Sequence, residues 1–262
     1  MIAPLWQRTY HPTNIVYIHA TPKTKSVQLF YAVKILNMHT DCADYSPPPK
    51  ILGLLCTELN APKQDIPVKT SIVDGFKVLH DLRQEDPEAF HVLSTTPIRR
   101  GRHRLDVEEE CDPSKVEMYQ RSFIREEPAV CTEGNNIKRI HVSRGKNVGL
   151  SLGAHDDAFI RNYYAAYGKL EAMLTYPKYT QDFVLQPGMM LVIDNYRLCH
   201  ARSEIPPSTH RVAMSAYISE DGWCNRWRLM LGKQSGLDAK WLFGCSDEAL
   251  KLLAHRSEDS YS

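Results

Sequence analysis

No stretch of this chain approaches the roughly 18 consecutive apolar residues of a membrane-spanning helix. Its seven cysteines (42, 56, 111, 131, 199, 224 and 245) are odd in number and scattered, and they include no Cys-x-x-Cys pair. That usage excludes a zinc knuckle and argues against a disulfide framework. Reduced thiols in an intracellular compartment, cytoplasmic or mitochondrial, are the expectation. An excess of one charge is also missing. The formal net charge is +1, so nothing global draws the chain to nucleic acid or an acidic membrane. The one basic cluster, Arg99 to Arg104, runs straight into the acidic Asp106 to Glu110. The two cancel and are expected to form a solvated loop. Repeats, low-complexity tracts and linkers are lacking as well. The opening MIAPLWQRTYHP carries neither a secretory apolar core nor a basic amphipathic helix, so no targeting segment is expected.

What is present suits one β-rich globular domain over 1–262, with 43% hydrophobic and 24% charged residues. Strands are expected at Ile51–Glu58, Thr70–Val73, Arg139–Ser143, Phe183–Gln186, Met189–Asp194 and Arg211–Tyr217. Helices are expected at Asp74–Gln84, Pro87–Leu93, Asp156–Leu174 and Asp221–Leu231. In the third of these, Phe159, Tyr163, Tyr167, Leu170 and Leu174 recur at helical spacing and predict a helix lying on a sheet. Thr9–Tyr17 reads as loop. The apolar run Ser26–Met38 leads into His39, and Pro47-Pro48-Pro49 forces an extended break. Residues between Asp194 and Arg211 read as a polar, proline-broken loop that carries His200. The mixture predicts a mainly β core, sandwich or barrel, with flanking helices.

His39-Thr40-Asp41 is the first chemically informative triplet. On an extended strand, residues i and i+2 share a face, so this imidazole and carboxylate can share a metal ion. Adding His200 gives a two-histidine, one-carboxylate set with open coordination positions, the signature of non-haem iron(II) oxygenases. His-x-Asp alone is weak, because chance supplies about one such pair in a chain of this composition. The second instance, His155-Asp156-Asp157, falls at a helix start, where Asp serves as a cap. Arg211 follows His200 by eleven positions and can face the same cavity. Its planar fork suits the distal carboxylate of 2-oxoglutarate, whose keto-acid end chelates iron, with a hydroxyl from Thr70 or Ser71 alongside. The alternative is a pair of satisfied core histidines and a surface arginine.

The segments HTD (39–41), PPP (47–49), LLC (54–56), SIVDGF (71–76), DPEAFHVLSTTP (86–97), DNYRLCHAR (194–202) and HRVAMSAY (210–217) resemble the γ-butyrobetaine and trimethyllysine dioxygenases of the TauD/TfdA group. The resemblance runs from about Asn14 to Leu231. It implies a double-stranded β-helix (jelly-roll) core, iron(II) on His39, Asp41 and His200, and 2-oxoglutarate on Arg211 with Thr70 nearby. Dioxygen would be the oxidant and ascorbate an auxiliary reductant. It further implies hydroxylation of a small trimethylammonium acid such as γ-butyrobetaine, as in carnitine biosynthesis. An aromatic cage suits that cation, which donates no hydrogen bonds. Tyr217 matches one cage position, Tyr17 and Tyr31 compete for another, and Trp6 offers a further wall. Asp194, Arg202 and Arg197 are expected to orient their surroundings, with a structural ion pair as the alternative for Arg197. The sequence departs from the family with His141, Ser143 and Arg144 where asparagines are usual, and the N-terminal zinc-binding module of full-length relatives is expected to be absent. A trimethyllysine or sulfonate hydroxylase therefore stays open, as does a non-catalytic β-helix protein binding a metal or small acid. Relatives suggest a homodimer.

Overall fold

The computed structural model describes residues 15–20, 35–45, 47–63, 65–101, 125–143, 147–150 and 153–235. In chain order the first strands are β1 (Ile15–Ala20), β2 (Leu36–His39), β3 (Ile51–Asn60), β4 (Thr70–Asp74) and β5 (Pro97–Arg100). There follow β6 (Arg125–Pro128), β7 (Val130–Glu133), β8 (Asn136–Ile140) and β9 (Asn147–Gly149). The last are β10 (Thr180–Phe183), β11 (Met190–Asp194), β12 (Leu198–Arg202) and β13 (His210–Ile218). Helices are α1 (Gly75–Glu85), α2 (Pro87–Thr95), α3 (Asp157–Leu174) and α4 (Glu220–Ser235).

Eight of these strands form two four-stranded antiparallel sheets, ordered β1-β13-β3-β11 and β10-β4-β12-β2. The second sheet uses its two faces differently. On β12, Cys199 points outward into the main apolar core, while His200 and Arg202 point the other way. Helices α1, α2 and α3 cover the outer face, burying Val78, Leu79, Leu82, Leu93, Tyr163, Leu170 and Leu174 against Val73, Cys199, Ile98, Val130 and Ile140. Each such side chain contributes about 1.5–3 kcal/mol on burial. A smaller cluster of Leu52, Ile193 and Tyr217 lies on the first sheet, where register pairs Leu52 with both others.

Helix starts follow local chemistry. Asp74 caps α1 by accepting from the Phe76 and Lys77 amides. Asp86 caps α2, whose first turn holds Pro87, and Asp156 caps α3 through the Phe159 amide at 2.8 Å. Gly75 permits the close approach of α1 to the β12 entry. Its amide donates to the Arg197 carbonyl at 2.9 Å, and a Cβ there would lie 2.8 Å from that oxygen.

Several expectations change. Thr9–Tyr17 is not all loop, because Ile15–Ala20 pairs along β13. The strand expected at Phe183–Gln186 lies earlier, at Thr180–Phe183, where it pairs with β4. The Arg139–Ser143 strand ends at Ile140 and begins at Asn136. Within the supposed loop before Arg211 sits β12, a central strand of its sheet. Arg100 is not solvated. It is fully buried on β5 and donates to the Glu127 carbonyl at 2.9 Å; most of the rest of the charged run lies outside the described residues. None of the described cysteines forms a disulfide. Among the described residues no helix is long and apolar enough to cross a membrane.

Candidate metal centre

Strands β2 and β12 pair antiparallel with His39 opposite His200. Their rings lie 4.2 Å apart at 46°. The third donor does not come from an extended strand. β2 stops at His39, and Asp41 reaches the site from a turn whose next residue, Cys42, has φ +55°. That left-handed conformation is uncommon outside glycine and needs support from neighbours. Asn195 provides it: its Oδ1 accepts the Asp41 amide at 2.8 Å, and its Nδ2 donates to the Asp41 and Pro49 carbonyls at 3.0 and 2.9 Å. Thr40 is pinned on the other side, its amide donating to the Val142 carbonyl at 2.7 Å.

The outcome is a convergent donor set. Asp41 Oδ1 lies 3.2 Å from His39 Nε2 and 3.7 Å from His200 Nε2. All three donor atoms fall within 4.8 Å of one another. Octahedral bonds near 2.1 Å place adjacent ligands about 3.0 Å apart, so a small inward adjustment closes the set on one ion. His39 Nδ1 lies 2.8 Å from the Asn37 carbonyl, an acceptor only. The Nδ1 proton belongs there, which leaves Nε2 for a metal. Tyr217 donates to Asp41 Oδ2 at 2.8 Å, holding that oxygen and turning Oδ1 toward the imidazoles.

Electrostatics favour the ligating forms. Burial alone would raise the Asp41 carboxyl, but hydrogen bonding to His39, the His200 and His39 charges and the Tyr217 hydroxyl together hold it well below the usual carboxylate range. Burial, then His39, push His200 down to about 4 despite Asp41, so its imidazole is neutral near pH 7. Two imidazoles and one carboxylate in this arrangement are a donor set that fits a divalent first-row metal.

Arg211 sits on β13, 5% exposed, on the same face of the strand as buried Tyr217. Thr70 is buried on β4 directly opposite Arg202, two positions along the ladder from the His200 pair. Arg202, also 5% exposed, is lowered to about 10, first by burial and then by the neighbouring Arg211 charge. Arg202 and Thr70 thus lie on the His200 side of the second sheet, and the Arg211 charge is near enough to Arg202 to bear on it. Tyr17 lies on β1 in register with Met214; Tyr31, Trp6 and Arg144 lie outside the described residues.

Asp194 orients its surroundings, accepting from Lys50 Nζ at 2.8 Å and the Tyr196 amide at 2.9 Å. Arg197 pairs with Asp74 through Nε at 3.0 Å and Nη2 at 2.5 Å, a structural contact. His155 stacks on Phe159 at 4.3 Å beside the cap of α3. Asn195 was not singled out by the sequence, although its place inside DNYRLCHAR was the available signal.

Comparisons with known proteins follow the same line. The chain is 25% identical over 171 residues to trimethyllysine dioxygenase of Meyerozyma guilliermondii, covering 65% of this chain and 40% of that protein. It is 24% identical over 208 residues to human γ-butyrobetaine dioxygenase, covering 76% and 48%. The chain thus spans about half the length of the curated relatives it matches. Among solved structures it superposes on asparagine oxygenase with Fe(II), 3-hydroxyasparagine and succinate at TM-score 0.56 and 16% identity, covering 82% of this chain and 59% of that one. The non-haem iron oxygenase OrfP with Fe, succinate and hydroxyarginine gives TM-score 0.56 at 17% identity, covering 83% and 62%. At these identities the structural likeness establishes a common fold. The model of the taurine catabolism dioxygenase TauD, TfdA family matches residues 5–217, more than half of the sequence, and this chain belongs to that family.

Proposed function

We propose that the chain is a single-domain iron(II)- and 2-oxoglutarate-dependent dioxygenase with a double-stranded β-helix core. It hydroxylates an unactivated C–H bond of a small acid, a trimethylammonium compound of the γ-butyrobetaine kind. The observation that carries the reading is the convergence of His39, Asp41 and His200, with Arg211 buried on the strand whose Tyr217 hydroxyl meets Asp41. When bound, iron(II) supplies, with 2-oxoglutarate and dioxygen, the oxidising power for exchanging C–H for C–OH while succinate and carbon dioxide leave.

The protein's own residues hold and orient. Asn195 and the Thr40–Val142 contact fix the turn that presents Asp41, and Tyr217 sets its rotation. Arg211 offers the distal carboxylate of 2-oxoglutarate a charge-assisted fork, with the Thr70 hydroxyl beside it and the Arg202 charge deepening the positive potential. The trimethylammonium assignment is supported by the names of the curated relatives and by the chemistry of an aromatic cage with Tyr17 or Tyr31 as walls.

Anaerobic titration with iron(II) and 2-oxoglutarate tests the reading. A weak visible metal-to-ligand charge-transfer band, absent in His39→Ala and Asp41→Ala, is expected. No band would leave a non-catalytic binding protein. Succinate release is then followed with quaternary-amine acids and with sulfonates. Release driven by sulfonates alone would keep the chemistry and overturn the substrate class.

A further inference from the structure

A second set of metal-ligating side chains lies outside the His39–Asp41–His200 centre, and the proposed reaction does not use it. Glu127 is on β6, Cys131 on β7, and His141 directly follows β8. The β7–β8 hairpin pairs Cys131 with Arg139, and the His141 amide donates to the Ala129 carbonyl at 2.8 Å. Backbone pairing therefore fixes the positions of all three residues, and their donor atoms lie within 4.8 Å of one another.

The two measured edges have the size of a zinc site. Glu127 Oε2 lies 3.3 Å from His141 Nε2 and 3.6 Å from Cys131 Sγ. Tetrahedral zinc, with bonds of about 2.05 Å to nitrogen and oxygen and about 2.3 Å to sulfur, sets those edges at about 3.3 and 3.6 Å. Thiolate, imidazole and carboxylate together select zinc over magnesium or calcium. The His141 side chain is 2% exposed, while Cys131 and Glu127 are half-buried, so the site is shielded on one side and reachable on the other.

The ion would displace existing contacts of these groups, two of them to Arg139 and Pro128. Arg139 Nη2 lies 3.3 Å from the same Glu127 oxygen, and the Cys131 thiol also faces the Pro128 carbonyl at 3.9 Å. The Arg139 guanidinium lies 5.2 Å from the Tyr196 ring, a resting place that survives loss of the Glu127 contact.

We propose that Glu127, Cys131 and His141 bind a zinc ion that staples the β7–β8 hairpin to β6, with solvent in the fourth position. Binding exchanges the thiol proton for zinc and leaves the oxidation state of every group unchanged. The staple has a place in the architecture. His141 precedes Val142, whose carbonyl and amide hold Thr40 between two ligands of the first centre. A fixed hairpin therefore fixes the strand end on which the Asp41 turn leans.

The test is an anaerobic cobalt(II) titration of the metal-stripped chain, with cobalt as a spectroscopic substitute for either metal. Two equivalents are expected, one of them giving the near-ultraviolet thiolate-to-cobalt charge-transfer band. Cys131→Ser removes that band and one equivalent; His39→Ala removes the other equivalent and keeps the band. Absence of a thiolate band, or a band unchanged in Cys131→Ser, overturns the proposal. A second measurement needs no variant. Zinc is expected to slow iodoacetamide alkylation of Cys131 at least tenfold by peptide mapping, and a chelator to restore it. Equal labelling with and without zinc overturns the proposal independently.

Discussion

Tyr217 shows how one side chain can carry two roles that measurement separates. Its hydroxyl donates to Asp41 Oδ2 and its side chain packs with Leu52 and Ile193. Tyr217→Phe keeps the ring and deletes only the hydroxyl. Outer-sphere partners of metal ligands are worth tens of fold in affinity, so iron(II) binding is expected to weaken about tenfold with the substrate KM unchanged. A raised KM for quaternary amines at unaltered metal affinity would instead return Tyr217 to the substrate cage. Asn195 makes three hydrogen bonds that hold the Asp41 turn. Asn195→Ala should cost roughly 10- to 100-fold in cobalt(II) affinity while the fold persists. Arg211→Ala removes a charge-assisted contact of about 2–3 kcal/mol, so the KM for 2-oxoglutarate should rise roughly 30- to 150-fold. Unchanged steady-state kinetics with 2-oxoglutarate varied would remove Arg211 from that role.

At the level of the element, Asp74 joins three parts: it ends β4, caps α1 and pairs with Arg197 at the entry to β12. Burial works against its charge, but Arg197 and the capping amides prevail and lower the carboxyl below its ordinary range. Because the folded value is depressed, the stabilisation exists above the unfolded carboxylate range, near pH 4, and disappears as pH falls through the folded value. Arg197→Gln should therefore lower Tm by a few degrees at pH 7 and by clearly less at pH 2, as read by calorimetry. A loss of equal size at both pH values would mean that packing, not charge, was removed. The helices were legible because their start signals are local: Asp74, Asp86-Pro87 and Asp156 stand next to the amides they cap. Strand β12 was not. Its outer face offers only the small Cys199 and Ala201, and its inner face carries His200 and Arg202 beside Leu198. A strand built to serve a site shows no apolar alternation, and only its two partners, β4 and β2, reveal it. Strand β1 was hidden for a related reason, since its place is set by β13.

Across the whole molecule, the candidate centre binds two segments far apart in sequence, the β2 end with its turn and β12. Residue types and motif context identified His39, Asp41 and His200, because few side chains can serve as metal ligands. What could not be read was how the carboxylate arrives. The expected extended spacing gives way to a turn that depends on Asn195 and Val142, both distant in the chain. The folded state alone assembles these donors, so a bound ion stabilises it by mass action, about 2.7 kcal/mol at a hundredfold excess over Kd. For a domain of this size that amounts to a Tm rise of roughly 5–10 °C. Anaerobic calorimetry of the stripped chain with added iron(II) should show the rise, and His39→Ala should lose it while keeping its metal-free Tm within about 2 °C of the parent. Should His39→Ala respond to iron(II) as the parent does, the stabilising ion would have to sit elsewhere. The thiolate set on the β7–β8 hairpin would then be the place to look, and Cys131→Ser would be the variant to lose the response.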